Sequence, residues 1–203
     1  MSSEPTKLYT INEIFYSLQG EGVRAGTANV FVRFSGCNQT CSLESHGFDC
    51  DTEFVSGRKL SAVEILTEVK AIAESCRWVI FTGGEPGLQL DSTLIELFKR
   101  NGFSLAIETN GSIELPAGLD WITVSPKVAE HAIRQRTANE VKYVRGYGQG
   151  IPKTVVDAQN LLISPAFLGE QVDPKALQWC LRLVQENPLW RLSVQQHKLW
   201  QIR

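Results

Sequence analysis

The sequence has no long hydrophobic run, no excess of positive charge and no internal repeat. Its first residues lack the uninterrupted apolar stretch of a signal peptide, and no segment approaches the length of a membrane span, so we expect a cytoplasmic protein that does not enter a membrane. The formal net charge of -2 argues against nucleic acid as a direct ligand. Because no low-complexity tract or linker divides the 203 residues, we predict a single domain, 1–203.

Cysteine is scarce, and its odd count of five argues against a disulfide scaffold and for a reducing compartment. Cys76 and Cys180 are predicted to be small buried apolar residues. Cys37, Cys41 and Cys50 instead share one segment, SGCNQTCSLESHGFDCDTEF. Three thiolates that converge from a flexible loop can hold an iron-sulfur cluster and leave one iron open to a non-protein ligand.

Two alternatives remain for this cysteine loop when it is taken alone. His46 gives the segment the spacing C-x3-C-x4-H-x3-C, which is close to that of a zinc knuckle with four closed ligand positions. The three thiols could also bind no metal. The residues of the loop do not decide between these possibilities.

Strand and helix patterns alternate along most of the chain. The N-terminus of the first predicted helix is marked by a capping box, Ser61 with Glu64. The predicted strands are 28–34, 78–82, 104–108, 121–124, 140–144, 160–163 and 191–195, and the predicted helices are 61–75, 92–100 and 174–186.

Polar segments follow the ends of these strands, at 83–86, 109–111, 125–127 and 164–165. The alternation predicts six or seven mainly parallel strands that share one ligand-binding edge. A closed eight-stranded β/α barrel usually takes about 250 residues, and here a long loop occupies part of a shorter chain. We therefore predict an α/β fold of the incomplete, open β/α barrel type.

Two further features have both a structural and a functional interpretation. Glycines bracket Gln19 and Glu21, so these side chains are either held against a ligand or solvated in a plain turn. Arg33 is the one charge in its predicted strand. It points to solvent or faces an anionic ligand, and the adjacent cysteine loop favours the ligand.

The cysteine loop, the segment Thr82 to Pro86 and the strand-end segments together resemble the radical S-adenosylmethionine (SAM) superfamily. The segments 18–22, 33–37, 50–52, 82–86, 108–109, 124–127 and 195–198 resemble, more specifically, the 7-carboxy-7-deazaguanine synthase family. The resemblance implies a radical SAM lyase that converts 6-carboxy-5,6,7,8-tetrahydropterin to 7-carboxy-7-deazaguanine with loss of ammonia, in the biosynthesis of queuosine and other 7-deazapurines. A radical SAM enzyme that acts on another substrate is the main alternative.

The resemblance also implies site residues and partners. A [4Fe-4S] cluster would be held by Cys37, Cys41 and Cys50, and Mg²⁺ by Thr52. SAM would be bound by Phe48, Gly84, Glu85, Ser125, Pro126, Lys127 and Ser164. The pterin would be bound by Leu18, Gln19, Gly20, Glu21, Arg33, Thr82, His197 and Arg203. The expected reductant is flavodoxin or ferredoxin, and the expected assembly is a homodimer.

The sequence departs from the family pattern at two places. The usual cluster motif is C-x3-C-x2-C, whereas eight residues separate Cys41 from Cys50, and Asp49 replaces the usual aromatic residue. Loop closure entropy grows by only about 0.6 kcal/mol per doubling of length, so a cluster can still form. Ser164 stands where relatives tend to carry glutamine, and it is expected to contact SAM differently or not at all.

Overall fold

The computed structural model describes residues 6–46, 50 and 53–203. Within them, nine strands form one sheet and two short strands form a hairpin. The strands are β1 (Leu8–Leu18), β2 (Ala28–Phe34), β3 (Arg58–Ser61), β4 (Trp78–Gly83), β5 (Ser104–Thr109), β6 (Trp121–Val124), β7 (Thr137–Arg145), β8 (Asp157–Pro165), β9 (Phe167–Leu168), β10 (Gln171–Val172) and β11 (Trp190–Leu192). The helices are α1 (Leu43–His46), α2 (Ala62–Ala73), α3 (Ser92–Arg100), α4 (Pro174–Glu186) and α5 (Gln196–Trp200).

The order of the sheet is β11-β8-β7-β6-β5-β4-β2-β1-β3. The seven strands from β11 to β2 are parallel, and β1 and β3 add an antiparallel edge. Each parallel strand corresponds to a predicted one, so the open barrel with mainly parallel strands is confirmed. The predicted strand 191–195 was too long, because β11 ends at Leu192 and the chain then turns into α5.

The outer face of the sheet is covered by α2 and α3. In β2, Val30, Val32 and Phe34 are fully buried against these helices. The capping box at the start of α2 is present, with the Ser61 Oγ accepting from Glu64 N and the Glu64 carboxylate accepting from Ser61 N. Such a cap contributes about 1 kcal/mol to stability.

The inner face carries the alternate residues of the same strands, because side chains in a strand point to opposite faces with a period of two. Phe31, Ile80 and Ala106 form a small inner core with Phe15. Two residues further along β2, β4 and β5, the inner face becomes polar. The residues at these positions are Arg33, Thr82 and Glu108.

The far half of the sheet is covered by α4, which buries Ala176, Cys180 and Leu183. Cys180 is fully buried as predicted, and Cys76 is half-buried with its Sγ 3.3 Å from the Ala28 carbonyl oxygen. Among the described residues, no helix combines the length and the apolar character that crossing a membrane requires.

Candidate active site

A pocket of about 560 Å³ opens at the carboxyl ends of the parallel strands. Segments that are far apart in the sequence meet there because parallel strands end at the same edge of a sheet. The predicted site residues that line the pocket are Glu21, Cys37, Cys41, Cys50, Thr82, Gly84, Ser125, Lys127 and Ser164. Phe48 and Thr52 lie outside the described residues. The remaining predicted residues are not part of the pocket lining.

The cysteine loop forms one wall of the pocket, with Cys37, Cys41 and Cys50 all contributing to its surface. Gln39 N lies 3.4 Å from Cys37 Sγ and donates to it. Burial raises the pKa of the Cys37 thiol, and the charge of Glu85 adds to that effect while the Gln39 N–H opposes it. Three thiols on one pocket wall can bind an iron-sulfur cluster, in which each thiolate is the ligand of a different iron atom.

Helix α1 lies within the cysteine loop and contacts two other loops, those after β6 and β7. The His46 Nε2 is 3.0 Å from the carbonyl oxygen of Lys127, and the Gln149 amide lies 3.4 Å from the His46 carbonyl oxygen. The imidazole is therefore directed to the loop after β6. Among the described residues, no three His, Cys, Asp or Glu side chains are close enough to hold a single metal ion.

The two-glycine segment after β4 packs directly against the start of the cysteine loop. Gly84 N donates to Phe34 O at 3.0 Å, and Glu85 N donates to Gly36 O at 2.9 Å. A Cβ atom on Gly84 would overlap the Gly36 carbonyl oxygen and lie 2.6 Å from its carbon. Glycine is thus required here so that two loops of the site can touch.

Replacement of Gly84 by alanine is expected to displace the loop that carries Cys37, because the new methyl group meets backbone rather than a flexible side chain. We expect Gly84→Ala to lower the iron content after anaerobic reconstitution to less than half that of the parent. The matched control is Gly150→Ala, where a Cβ would meet nothing within 4 Å. Equal iron content in the two variants would contradict the proposed contact.

Glu85 is fully buried and does not line the pocket. Its carboxylate accepts from Asn110 N at 2.7 Å, from Thr109 Oγ1 at 2.8 Å and from Gly87 N at 2.8 Å. Burial raises the pKa of Glu85, and these hydrogen bonds partly offset the increase. Glu85 therefore fixes the loop after β5, and Thr109 and Asn110 from that loop line the pocket.

The loop after β6 supplies a second polar wall. The Lys127 Nζ donates to Ser125 Oγ at 2.8 Å, and Ser125 N donates to Thr109 O at 2.7 Å. Pro126, between them, is not part of the lining. Ser164 lines the opposite side at the end of β8 and is almost fully buried.

A buried ion cluster forms part of the pocket surface, with Lys142 on β7 between two carboxylates. Its ammonium contacts Glu21 directly and lies 3.4 Å from Glu108 Oε2. The second oxygen of Glu21 accepts from the Gln195 amide at 2.9 Å, and that of Glu108 accepts from the Gln19 amide at 3.0 Å. The predicted residue Gln19 thus lies beneath the pocket and positions Glu108.

The two glutamates of the cluster have opposite pKa shifts. Burial acts to raise the pKa of Glu21, but the charge of Lys142 and the hydrogen bonds from Lys142 and Gln195 outweigh it and hold this pKa at about 2. Burial raises the pKa of Glu108 to about 7, with Lys142 opposing the increase and Glu21 and Glu140 adding to it. Near pH 7 the site therefore presents one ionised carboxylate and one carboxyl group that can hold a proton.

Arg33 lies on the inner face, but its partner in this structure is Glu13 rather than a group in the pocket. The Arg33 Nε is 3.3 Å from Glu13 Oε1, and the guanidinium carbon is 5.5 Å from the centre of the Phe15 ring. Arg203 pairs with the other oxygen of Glu13 and lies 5.1 Å from the same ring. The two predicted arginines are thus joined through one carboxylate at the inner edge of β1.

The C-terminal helix α5 packs on the loop after β1. Gln196 N donates to Gly20 O at 2.9 Å, and a Cβ atom on Gly20 would overlap the His197 ring. Leu18, at the end of β1, is exposed in the described chain. The structure therefore brings Gly20 and His197 into contact with each other, next to Glu21.

Lys142 and Glu108 are the clearest site residues that sequence analysis missed. Both lie inside strands rather than in the segments that follow them, and only the 108–109 segment of the family resemblance pointed to Glu108. The signal for Lys142 was a charge between the apolar residues Val141 and Tyr143, similar to the signal that singled out Arg33.

An open barrel of parallel strands with a three-cysteine loop and a glycine loop at its carboxyl edge defines the radical SAM class. No protein-family model matches the sequence. The chain is 40% identical over 213 residues to the 7-carboxy-7-deazaguanine synthase of Bradyrhizobium diazoefficiens, covering 96% of this chain and 99% of that protein. It is 42% identical over 194 residues to the 7-carboxy-7-deazaguanine synthase of Bacteroides thetaiotaomicron, covering 95% and 98%.

The chain belongs to the 7-carboxy-7-deazaguanine synthase family. Its fold is also similar to the crystal structure of QueE from Escherichia coli, with a TM-score of 0.68 and 26% identity over 93% of this chain and 94% of that one. The family predicted from the motifs is thereby confirmed. The structural match covers most of the chain, so the fold similarity includes the parallel strands and their carboxyl edge.

Proposed function

We propose that this protein is a radical SAM lyase that converts 6-carboxy-5,6,7,8-tetrahydropterin to 7-carboxy-7-deazaguanine with loss of ammonia, in the biosynthesis of queuosine and other 7-deazapurines. The observation that carries the proposal is that one pocket is lined jointly by the three cysteines, by Gly84 and by the Glu21–Lys142–Glu108 cluster. Relatives that carry the name of this activity match nearly the whole chain. The same pocket acting on another substrate is the alternative.

The cysteine wall would hold a [4Fe-4S] cluster through Cys37, Cys41 and Cys50 and leave one iron for SAM. When bound and reduced, these cofactors would supply the radical that removes the hydrogen atom at C6 of the pterin, and the family resemblance implies that SAM is regenerated at the end. Ser125 and Lys127 stand on the neighbouring wall, where a hydroxyl and an ammonium can bind the carboxylate of SAM. Gly83 and Gly84 line this part of the pocket with backbone alone.

The buried ion cluster and the polar residues of the inner face would orient the pterin. Glu21, held as an anion by Lys142, can accept hydrogen bonds from the N–H groups of the pterin, and Thr82 offers a hydroxyl on the same inner face. Arg33 would bind the substrate carboxylate as a bidentate pair. In doing so it would exchange its 3.3 Å contact with Glu13 for a contact with substrate, while Arg203 keeps Glu13 paired.

Mg²⁺ is expected to raise turnover through Thr52, because Mg²⁺ needs few protein ligands when substrate and water oxygens complete its shell. Thr52→Val should lose most of the stimulation by Mg²⁺ while it keeps iron content and SAM binding at the level of the parent. The matched control is Thr67→Val on α2, whose hydroxyl donates to the Val63 carbonyl oxygen. Equal stimulation of both variants would refute the metal assignment.

The remaining expectations concern location and partners. We infer a cytoplasmic protein, since an iron-sulfur cluster and reduced cysteines suit that compartment. A flavodoxin or ferredoxin would supply the electron, and two copies of the chain would form a homodimer. Sedimentation of the purified protein tests the assembly, and reduction of the loaded enzyme by each carrier tests the partner.

The proposed substrate is tested by two pterins that differ in one group. With SAM, Mg²⁺ and dithionite under anaerobic conditions, the protein should release ammonia from 6-carboxytetrahydropterin and not from the same pterin without the carboxylate. Chromatography of the products and an ammonia assay give the result. Loss of SAM without use of the carboxylated pterin would favour another substrate.

A further inference from the structure

Lys142 joins two carboxylates that are buried to a similar degree but bound differently. The exposed fractions of the side chains are 6% for Lys142, 17% for Glu21 and 21% for Glu108. The ammonium contacts Glu21 directly and is 3.4 Å from Glu108. A glutamine amide holds the second oxygen of each carboxylate.

The charges around Glu108 add to a net negative value if every carboxylate is ionised. Glu108, Glu21 and Glu140 would carry three negative charges against the two positive charges of Lys142 and Arg24, a net charge of -1 with His197, which acts on Glu21 from α5, in its neutral form. Because burial disfavours unbalanced charge, the cluster favours one additional proton. Glu108 is the place for it, since Lys142 stands closer to Glu21, and the pKa of Glu108 is raised to about 7.

We propose that Glu108 gives a proton to the departing nitrogen and takes one from the ring carbon during ammonia loss, and that Lys142 is the positioning residue that holds Glu108 for this step. Glu108 lines the pocket next to Thr109 and Thr82, so its carboxyl group can reach a bound ligand. The inference rests on the proposed function, because it concerns the ammonia that this reaction releases.

The proton balance of the step needs one group that first donates and then accepts. The carbon–nitrogen bond breaks with its electron pair on nitrogen, which takes the Glu108 proton and leaves as ammonia. A ring C–H bond then gives its electron pair to the new carbon–carbon double bond and its proton to Glu108. No oxidant or reductant is consumed, and Lys142 stabilises the transient Glu108 carboxylate across 3.4 Å.

The protonation of Glu108 can be measured without turnover. The infrared difference spectrum of the parent minus Glu108→Gln should contain the C=O band of a protonated carboxyl group at pH 6, and this band should be lost as the pH rises through about 7. The subtraction removes the bands of other carboxyl groups, such as that of the buried Glu85. A difference spectrum without the band at pH 6 would overturn the proposal.

Turnover should separate the role of Glu108 from that of the cofactors. We expect Glu108→Gln to lower the rate of ammonia release about 100-fold or more, the usual contribution of a general acid, while deuterium from C6 of the substrate still enters SAM within severalfold of the parent rate. Ammonia release at the parent rate would refute the assignment. If the parent itself ignores the carboxylated pterin, it is the proposed function that fails.

The pH profile tests Lys142. The acid form of Glu108 is required, so kcat of the parent should fall as the pH rises through about 7. Lys142→Met removes a charge that lowers the pKa of Glu108, so the fall should move to higher pH, whereas Lys142→Arg should restore the parent profile. The matched control is Lys99→Met, which removes an exposed lysine that pairs with Asp120 at 2.6 Å. An unchanged pH profile in Lys142→Met would overturn the positioning role of Lys142. If that variant does not fold, the infrared titration and the Glu108→Gln variant still decide whether Glu108 is the proton donor.

Discussion

Alanine at Cys37, Cys41 or Cys50 should abolish the iron-sulfur cluster and, with it, all formation of 7-carboxy-7-deazaguanine. Each thiol lines the same pocket wall, and a cluster held by three thiolates cannot lose one and keep its open iron in place. The parent should bind about four iron and four sulfide per chain after anaerobic reconstitution. Iron and sulfide analysis with the absorption spectrum measures the loss.

Three matched variants serve as controls for the cysteine result. Cys76→Ala and Cys180→Ala should keep the cluster, because neither residue lines the pocket, and Cys180 lies on the buried face of α4. His46→Ala should also keep it, since the His46 Nε2 faces the Lys127 carbonyl oxygen. If the parent binds zinc in place of iron and His46→Ala loses that zinc, the zinc-knuckle interpretation would be restored.

Methionine at Arg33 should weaken the binding of 6-carboxytetrahydropterin by about 2 to 5 kcal/mol, because the substrate carboxylate then loses its cationic partner in a desolvated site. Uncoupled cleavage of SAM by dithionite should stay near the parent value, since Arg33 pairs with Glu13 and is assigned to the substrate rather than to SAM or the cluster. Substrate affinity and 5′-deoxyadenosine formation, measured side by side, give both results.

The control for Arg33 is Arg100→Met, which removes an exposed arginine that pairs with Glu96 at 2.7 Å on α3. This variant should bind the pterin as the parent does. If Arg33→Met also binds it normally, then Glu13 is the permanent partner of Arg33, and the carboxylate is bound elsewhere.

The parallel part of the fold could be predicted because strands that are buried on both faces have a continuous apolar pattern. The two antiparallel strands were missed for physical reasons. β1 is a long strand with polar residues and an irregularity between Ile11 and Glu13, and β3, at the edge of the sheet, has only four residues. Neither gives a strong strand signal without its partners.

The candidate site could be predicted where its residues lie in the segments that follow the parallel strands. Ser125, Lys127 and Ser164 meet the cysteines in one pocket for the reason that parallel strands share an edge. The direction of a side chain in a turn was not predictable. Glu85 looked like a ligand contact, yet its carboxylate accepts three hydrogen bonds from the neighbouring loop, and its assigned contact with SAM remains a prediction.

The measurement that tests the central claim most directly follows one hydrogen atom. The reconstituted protein is supplied with 6-carboxytetrahydropterin deuterated at C6, together with SAM, Mg²⁺ and dithionite, and the products are analysed by mass spectrometry. The account predicts equal amounts of 7-carboxy-7-deazaguanine and ammonia, with deuterium in the recovered SAM. Absence of the deazaguanine, or its formation without transfer of deuterium, would contradict the account.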